Sequence, residues 1–323
     1  MGGNALNSIR LPKDEYFEYA REVLGMLGQI LRPDSFEVIR AYRNKPSYGD
    51  LDIVYNHNAF YPEFYDVVVE HFGVTEIYKE GSCFSIKYKG FQIDLILTPT
   101  EYYDFAVDYY AWNDCGNLIG KLARRLGFKF GHKGLHHDLM DTPTKRIDRI
   151  LVSRDFPLVL DFVGLDYARH NAGFDEIEDM YEYITTSPFF TPDMYQFENV
   201  SNQSRVRDRK RPTYIGFLEY IKDMPIDPDK PNKGHYLCKA FSDFEGFEDR
   251  YEKALAEYRE DLAFREKLNG HVIMSLVDIQ GKALGEFIAI ITNKHSKQAI
   301  TAMTEEDVKQ MIVEEFNARI SQI

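Results

Sequence analysis

Cysteine is scarce in this chain. Cys83, Cys115 and Cys238 are odd in number and widely spaced, which excludes a disulfide framework and leaves no paired spacing for a zinc knuckle. Long apolar runs are missing too. No stretch approaches the roughly 18 consecutive apolar residues of a membrane-spanning helix. The N-terminal MGGNALNSIRLPKDEY lacks the apolar core of a secretory leader, so the expected location is cytoplasmic, the host cytoplasm for a virus-encoded protein. Leu6 stands where an N-myristoylation signal carries Ser or Thr. An excess of positive charge is the third absence. With 39 Lys and Arg against 52 Asp and Glu the net charge is -13, which argues against the basic surface of a tight nucleic-acid binder.

What is present is enough to build a folded protein. The chain has 323 residues, 44% hydrophobic and 14% aromatic, room for one large or two medium domains. Apolar spacing of three and four over residues 13–31 (Phe17, Ala20, Val23, Leu24, Leu27, Leu31) predicts an amphipathic helix. FEVIRAY, LDIVY, FSIKYKG and FQIDLIL then read as short strands, with a helix over 62–73 between the second and third. Helical spacing resumes over 113–128, with Asn113 or Asp114 as N-cap and Gly127 as the stop, and dominates after about residue 153. The Pro- and Asp-rich stretch 224–234 is the expected linker. These features predict an α+β protein: a small mixed sheet with flanking helices over 1–150, a helical middle domain over 151–230 and a helical C-terminal domain over 231–323. No internal repeat or low-complexity tract is visible.

Two acids interrupt the strand GDLDIVY. Side chains alternate along a strand, so Asp50, Asp52 and Val54 face one way and Leu51, Ile53 and Tyr55 the other. In FQIDLILTP a third acid, Asp94, shares a face with Gln92 and Ile96. A charge set in a half-buried strand is costly unless paired or bound to metal. The alternatives are a turn for Asp50 after Gly49, an Arg partner for Asp52 and solvent for Asp94. Three carboxylates converging from adjacent strands suit hard divalent cations, which take oxygen ligands and complete their shells with substrate phosphates. Two such ions, Mg2+ or Mn2+, would stabilise the attacking and leaving oxygens of an in-line displacement.

RNKPSYGDLDIVY followed by IDLILTPTEYYDFAVDYYAWNDCGNLIGKLARRLGFKFGHKGL resembles the palm of the DNA polymerase beta-like nucleotidyltransferase superfamily, over roughly residues 36–135. The resemblance implies that Asp50 and Asp52 bind both metals. Asp94 would bind the catalytic one and draw the proton from an attacking 3'-hydroxyl. It implies Arg43, with Lys45 and Ser47 nearby, at the triphosphate, Tyr109 at sugar and base, and Asn117 and Lys121 at the nucleotide or primer. The family's Gly-Ser phosphate grip is replaced by Ile39 and Arg40, so Arg40 substitutes by charge or the grip has moved. The implied activity is transfer of a nucleoside monophosphate from an NTP such as ATP to an acceptor hydroxyl, with RNA, a tRNA 3' end included, the expected acceptor. Other readings are a DNA-primer-extending polymerase, an AMPylating toxin-like enzyme, transfer to a small molecule, and an inactive nucleic-acid binding module. NGHVIMSLVDIQGKALGEFIAII looks like the Gly-containing helical element of CCA-adding enzymes; its ordinary reading is a turn at Gly281 with close packing at Gly285.

Basic islands fall at 121–133, 145–149 and 205–212. Arg124, Arg125, Lys133, Arg205, Arg207, Arg209 and Lys210 are the expected contacts to nucleic-acid phosphates, with solvated helix faces as the alternative. His132, His136, His137, Asp138 and Asp141 have a spacing that could bind zinc or nickel, or place histidines beside the acids. In the aromatic run 101–112 most rings are expected in the core, with Tyr109 and Trp112 the candidates to stack on a base.

Overall fold

The computed structural model describes residues 5–57, 63–226 and 236–320. The chain divides into two compact units, Met1–His137 with Leu151–Phe247, and Asp138–Ile150 with Glu248–Ile323. This grouping differs from the three consecutive segments expected from composition. Of the expected linker, residues 227–234 lie outside the described residues.

The first unit opens with β1 (Leu11–Pro12) and α1 (Lys13–Ile30), followed by β2 (Phe36–Val38), β3 (Ser47–Tyr48), β4 (Asp50–Asn56) and α2 (Phe64–Phe72). Then come β5 (Ile77–Glu80), β6 (Cys83–Tyr88), β7 (Phe91–Thr98), α3 (Tyr103–Tyr110) and α4 (Cys115–Arg125). Five strands form one sheet in the order β2-β4-β7-β6-β5. The pair β4 and β7 is parallel and the other neighbours are antiparallel. The sheet is therefore mixed, and the protein is α+β.

The period-two pattern decides what each face does. Leu51, Ile53 and Tyr55 of β4 join Phe84, Ile86, Phe91, Ile93, Leu95 and Leu97 in a core closed by α1 and α2. On α1 the buried stripe is Tyr16, Tyr19, Ala20, Val23 and Leu27, whereas Phe17 is 48% exposed. The expected stripe is rotated because Tyr16 stacks on Tyr48 with ring centroids 3.7 Å apart. The opposite face carries the acids, and at its far end Val54 packs with Tyr103, Val107, Tyr110 and Ile39.

Residues 129–153 depart from the expectation of solvated basic helix faces. They form β8 (Lys129–Gly131), β9 (Gly134–Thr142) and β10 (Lys145–Ser153), a separate sheet ordered β10-β9-β8. Buried Leu135, Leu139, Ile150 and Val152 supply its apolar side.

The remaining first-unit helices are α5 (Phe156–Phe162), α6 (Tyr167–Ala172), α7 (Ile177–Thr185), α8 (Asn202–Asp208), α9 (Pro212–Ile221) and α10 (Leu237–Asp243). Asp155 caps α5 by accepting from Leu158 N, as its position before the helix predicts. Asp114 precedes α4, but its carboxylate is taken by Arg211 rather than by the helix. Gly127 ends α4 at φ 93°, donating its N–H to Arg124 O.

An ion pair ties α8 to α4. Asp208 is fully buried, with Lys121 Nζ at 2.8 Å, Arg207 Nε at 2.7 Å and Asn117 Nδ2 at 3.2 Å. Burial opposes its charge, but the bonds from Arg207 and Lys121 outweigh that and hold the carboxyl below its ordinary value. Removing one partner strands the other charge, so Lys121→Met should cost about 3 kcal/mol in a denaturant titration. Asp208→Asn combined with Lys121→Met should cost less than the two singles added.

The second unit contains α11 (Phe247–Lys267, whose first residue belongs to the first unit), α12 (Gly270–Leu276), α13 (Gly281–Lys294), α14 (Lys297–Ala302) and α15 (Glu305–Ile320). Ile273, Phe287, Ile291, Ile300 and Ile312 form the centre of its core. Gly281 turns into α13 at φ 57°, as expected. Gly285 does not serve close packing, since a Cβ there would meet nothing within 4 Å.

Candidate metal centre

Register sets the geometry of the acid face. Across the parallel pair, Asp50 lies opposite Gln92, Asp52 opposite Asp94 and Val54 opposite Ile96. Across β6 the partners are Lys87 with Gln92, Ser85 with Asp94 and Cys83 with Ile96. One row therefore holds Asp52, Asp94 and Ser85 side by side. Carboxylate oxygens of Asp50, Asp52 and Asp94 lie within 4.8 Å of one another.

Asp94 is held from two sides. The amide of Gln92, itself buried, donates to both oxygens at 2.8 and 3.0 Å and accepts from Leu6 N at 2.9 Å. The Ser85 hydroxyl also bonds Asp94. Burial raises the Asp94 pKa, and these two bonds work against the rise. Because Gln92 fixes the carboxylate's orientation, Gln92→Leu should weaken Mn2+ binding by about 10- to 100-fold with the fold retained.

Asp52 carries the heavier electrostatic load. Desolvation first, then Asp50 and Asp94, push its carboxyl up to about 8, with Lys45 acting the other way. Lys45 sits on the Tyr48 ring, Nζ 4.5 Å from the centroid. Burial lowers the pKa of its ammonium, and Asp50 and Asp52 oppose that. All-oxygen donors, short mutual spacing and a carboxylate that resists ionisation match what a hard divalent cation relieves. The three aspartates could hold a metal ion.

The histidine cluster does not converge in this way. Among the described residues the three aspartates are the one group so assembled. His136 Nδ1 faces Gly134 O at 3.1 Å, His137 packs on Phe128, Asp138 pairs with Arg149 at 2.7 Å and Asp141 with Lys145 at 2.7 Å. The zinc or nickel alternative is therefore set aside: strand alternation and local ion pairs disperse these side chains.

No family model and no curated protein matches the chain.

The other expected residues fall into three groups. Lys45 feels the charges of Asp50 and Asp52, whereas Ser47 Oγ accepts from Arg10 Nη2 at 3.1 Å. Arg43 is turned toward the end of α6 and the loop that follows it instead. Its guanidinium pairs with Asp175 at 2.6 Å and bonds Ala172 O, while Arg43 N and Asn44 N donate to Phe174 O and Asp175 O at 2.9 and 2.8 Å. The loop bearing Lys45 is thereby anchored. Arg40 is similarly engaged, bound to Asp108 at 2.5 Å and lying 5.1 Å from the Trp112 ring centroid.

Trp112 cannot stack on a ligand. It is 6% exposed, and a Cβ on Gly173 would lie 2.3 Å from its ring. Trp112 and Asn113 both have positive φ, 63° and 61°, a strained turn pinned by Trp112 N donating to Arg40 O at 2.6 Å. Tyr109 rests on Gly116, where a Cβ would come within 2.2 Å of Tyr109 O. On the acid-bearing face the packed ring is Tyr110, one position later, which lies against the Val54 cluster; burial first, then Tyr109, Cys83, Tyr102 and Asp52, raise the pKa of its hydroxyl.

The third group is basic. Asn117 and Lys121 serve Asp208, as does Arg207, which also bonds Asn117. Arg205 Nε donates to Phe197 O at 2.8 Å and Arg209 lies 5.3 Å from the Phe197 ring centroid. Lys210 and Arg124 are exposed, and Arg124 and Arg125 line a recess with Lys121 and Asn199. Lys133 is exposed at the β8–β9 turn.

Sequence reasoning left Ser85 and Gln92 without a role. Their signal was present: Gln92 alternates onto the acid face two residues before Asp94, and a polar side chain inside an apolar strand is costly unless bonded.

Proposed function

We propose that the protein is a divalent-metal-dependent nucleotidyltransferase that moves a nucleoside monophosphate from an NTP to an acceptor hydroxyl, with RNA the favoured acceptor and pyrophosphate the leaving group. The observation that carries this reading is the convergence of Asp50, Asp52 and Asp94 within 4.8 Å on one face of two neighbouring interior strands of a mixed sheet. The likeness of Gly-Asp-x-Asp and its following acidic strand to the DNA polymerase beta-like palm supports it.

In this reading Asp50, Asp52 and Asp94 would hold two Mg2+ or Mn2+ ions, which supply charge stabilisation to the attacking and leaving oxygens. The protein's own groups bind and orient. Gln92 and Ser85 aim the Asp94 carboxylate, which takes the proton of the attacking hydroxyl as that oxygen bonds the α-phosphorus and the bond to pyrophosphate breaks. Lys45, held by the loop anchored at Asp175, neutralises phosphate charge. Little covalent chemistry is asked of the chain, so positioning and charge do the catalysis.

A second reading, a binding module that has lost transfer, draws on Arg40, which stands at the family's phosphate-grip position and is committed to Asp108. Incubating the protein with each labelled NTP and dNTP, Mg2+ and total RNA separates the two. The enzyme reading predicts label in a polymer, and no incorporation with any nucleotide and acceptor contradicts it.

A further inference from the structure

The basic segment 205–210 was the expected path for an acceptor strand, yet Arg205 and Arg207 are bound to internal partners. A different set of rings and cations begins at the acids. Tyr110 packs against Val54, the residue that follows Asp52 on the acid face. The His132 imidazole stacks on Tyr110 with centroids 5.6 Å apart and planes 18° apart. Tyr102 meets His132 edge-on at 6.0 Å. Over the Tyr102 ring lie Lys133 Nζ at 5.8 Å and the Arg154 guanidinium at 5.6 Å.

These positions are fixed by the backbone. Gly131 pairs with Gly134, so His132 and Lys133 are the two loop residues of a tight hairpin. Gly134 has φ 121°, and a Cβ there would lie 2.7 Å from Ser153 O and 3.1 Å from Arg154 Cγ, which keeps the loop against Arg154. Arg154 is further held by Lys133 O at 3.2 Å and by Glu101, an exposed acid, at 3.3 Å. Alternating π-faces and cations are what an unpaired strand needs, since every base can stack and every linkage carries a negative charge.

We propose that Tyr110, His132, Tyr102, Lys133 and Arg154 form a track for a single-stranded polynucleotide that delivers its 3' end to the three aspartates. The destination rests on the nucleotidyltransfer reading; the binding itself does not.

The test measures fluorescence anisotropy of a labelled 12-nucleotide single strand, as RNA and as DNA, with the full chain in EDTA. Wild type should bind, with affinity falling as salt rises. Lys133→Glu with Arg154→Glu should weaken binding at least about tenfold and flatten the salt slope by about 1.4, as for two lost phosphate contacts on a single strand. Tyr102→Ala should weaken binding about five- to tenfold with the slope unchanged. Arg154→Gln, a milder change, should lose part of the affinity with the same melting curve as wild type. Arg209→Glu with Lys210→Glu should bind as wild type does. Equal binding of RNA and DNA, or preference for either, supports the track and names its source. Wild-type affinity in the Lys133/Arg154 variant, or loss in the Arg209/Lys210 variant, overturns it. Calorimetry with a nonhydrolysable NTP and Mg2+ keeps the two claims apart. Metal-linked NTP binding without strand binding sinks only the track, and strand binding without NTP binding sinks only the transfer reading.

Discussion

Under the nucleotidyltransfer proposal, Asp52→Asn and Asp94→Asn should each cut NTP-to-RNA transfer by at least about 10³-fold while leaving a folded protein. The carboxylates stand on neighbouring strands in direct register, Asp52 opposite Asp94. Replacing either with an amide of the same shape removes a negative ligand without a change in packing. Several kcal/mol of transition-state charge stabilisation depend on a divalent ion in such a site, and about 1.4 kcal/mol corresponds to each factor of ten. Rates from single-turnover incorporation, with circular dichroism as the control for folding, check this. Full activity in both variants would remove these acids from the chemistry.

The same Asp52→Asn change should stabilise the metal-free protein. Desolvation, Asp50 and Asp94 raise the Asp52 carboxyl from its ordinary 3.8 to about 8. The folded state therefore binds a proton more tightly than the unfolded chain does. That contribution to stability is fully present below the ordinary carboxyl range and is lost as pH rises through the folded value, so the wild type weakens between about pH 4 and 8. The amide has no such dependence. Measured in EDTA, the variant's Tm should exceed wild type by about 2–4 °C at pH 8, equivalent to about 1–2 kcal/mol, and by less at pH 5. Metal reverses the order. Because binding requires the ionised carboxylate, Mg2+ affinity should rise with pH up to about 8, and added Mg2+ should raise the Tm of wild type alone. A lower Tm for the variant at every pH would mean that Asp52 is held by favourable partners.

The acids were legible because period-two alternation is local. LDIVY and FQIDLIL each state which side chains share a face, and β4 and β7 form where those patterns predict. That Asp52 and Asp94 are neighbours depends on strand order, which no single stretch encodes. The hairpin β9–β10 was obscured because its exposed side carries Asp, Lys and Arg, which read as charge islands. Arg43 and Asp175, or Lys121 and Asp208, illustrate the limit of pattern reading. Each pair meets across a long sequence separation, so a basic run that looks available for phosphate is claimed by an acid far along the chain. Tyr110 was passed over for Tyr109 because helical spacing gives a face but not the partner it faces.

The most direct test of the metal centre is a titration of Mn2+ into the full chain at pH 8, reading free ion by electron paramagnetic resonance. The account predicts saturable loss of free signal with wild type and a loss of that binding in the combined variant Asp52→Asn with Asp94→Asn. Superimposable isotherms for the two proteins would show that these aspartates bind no cation.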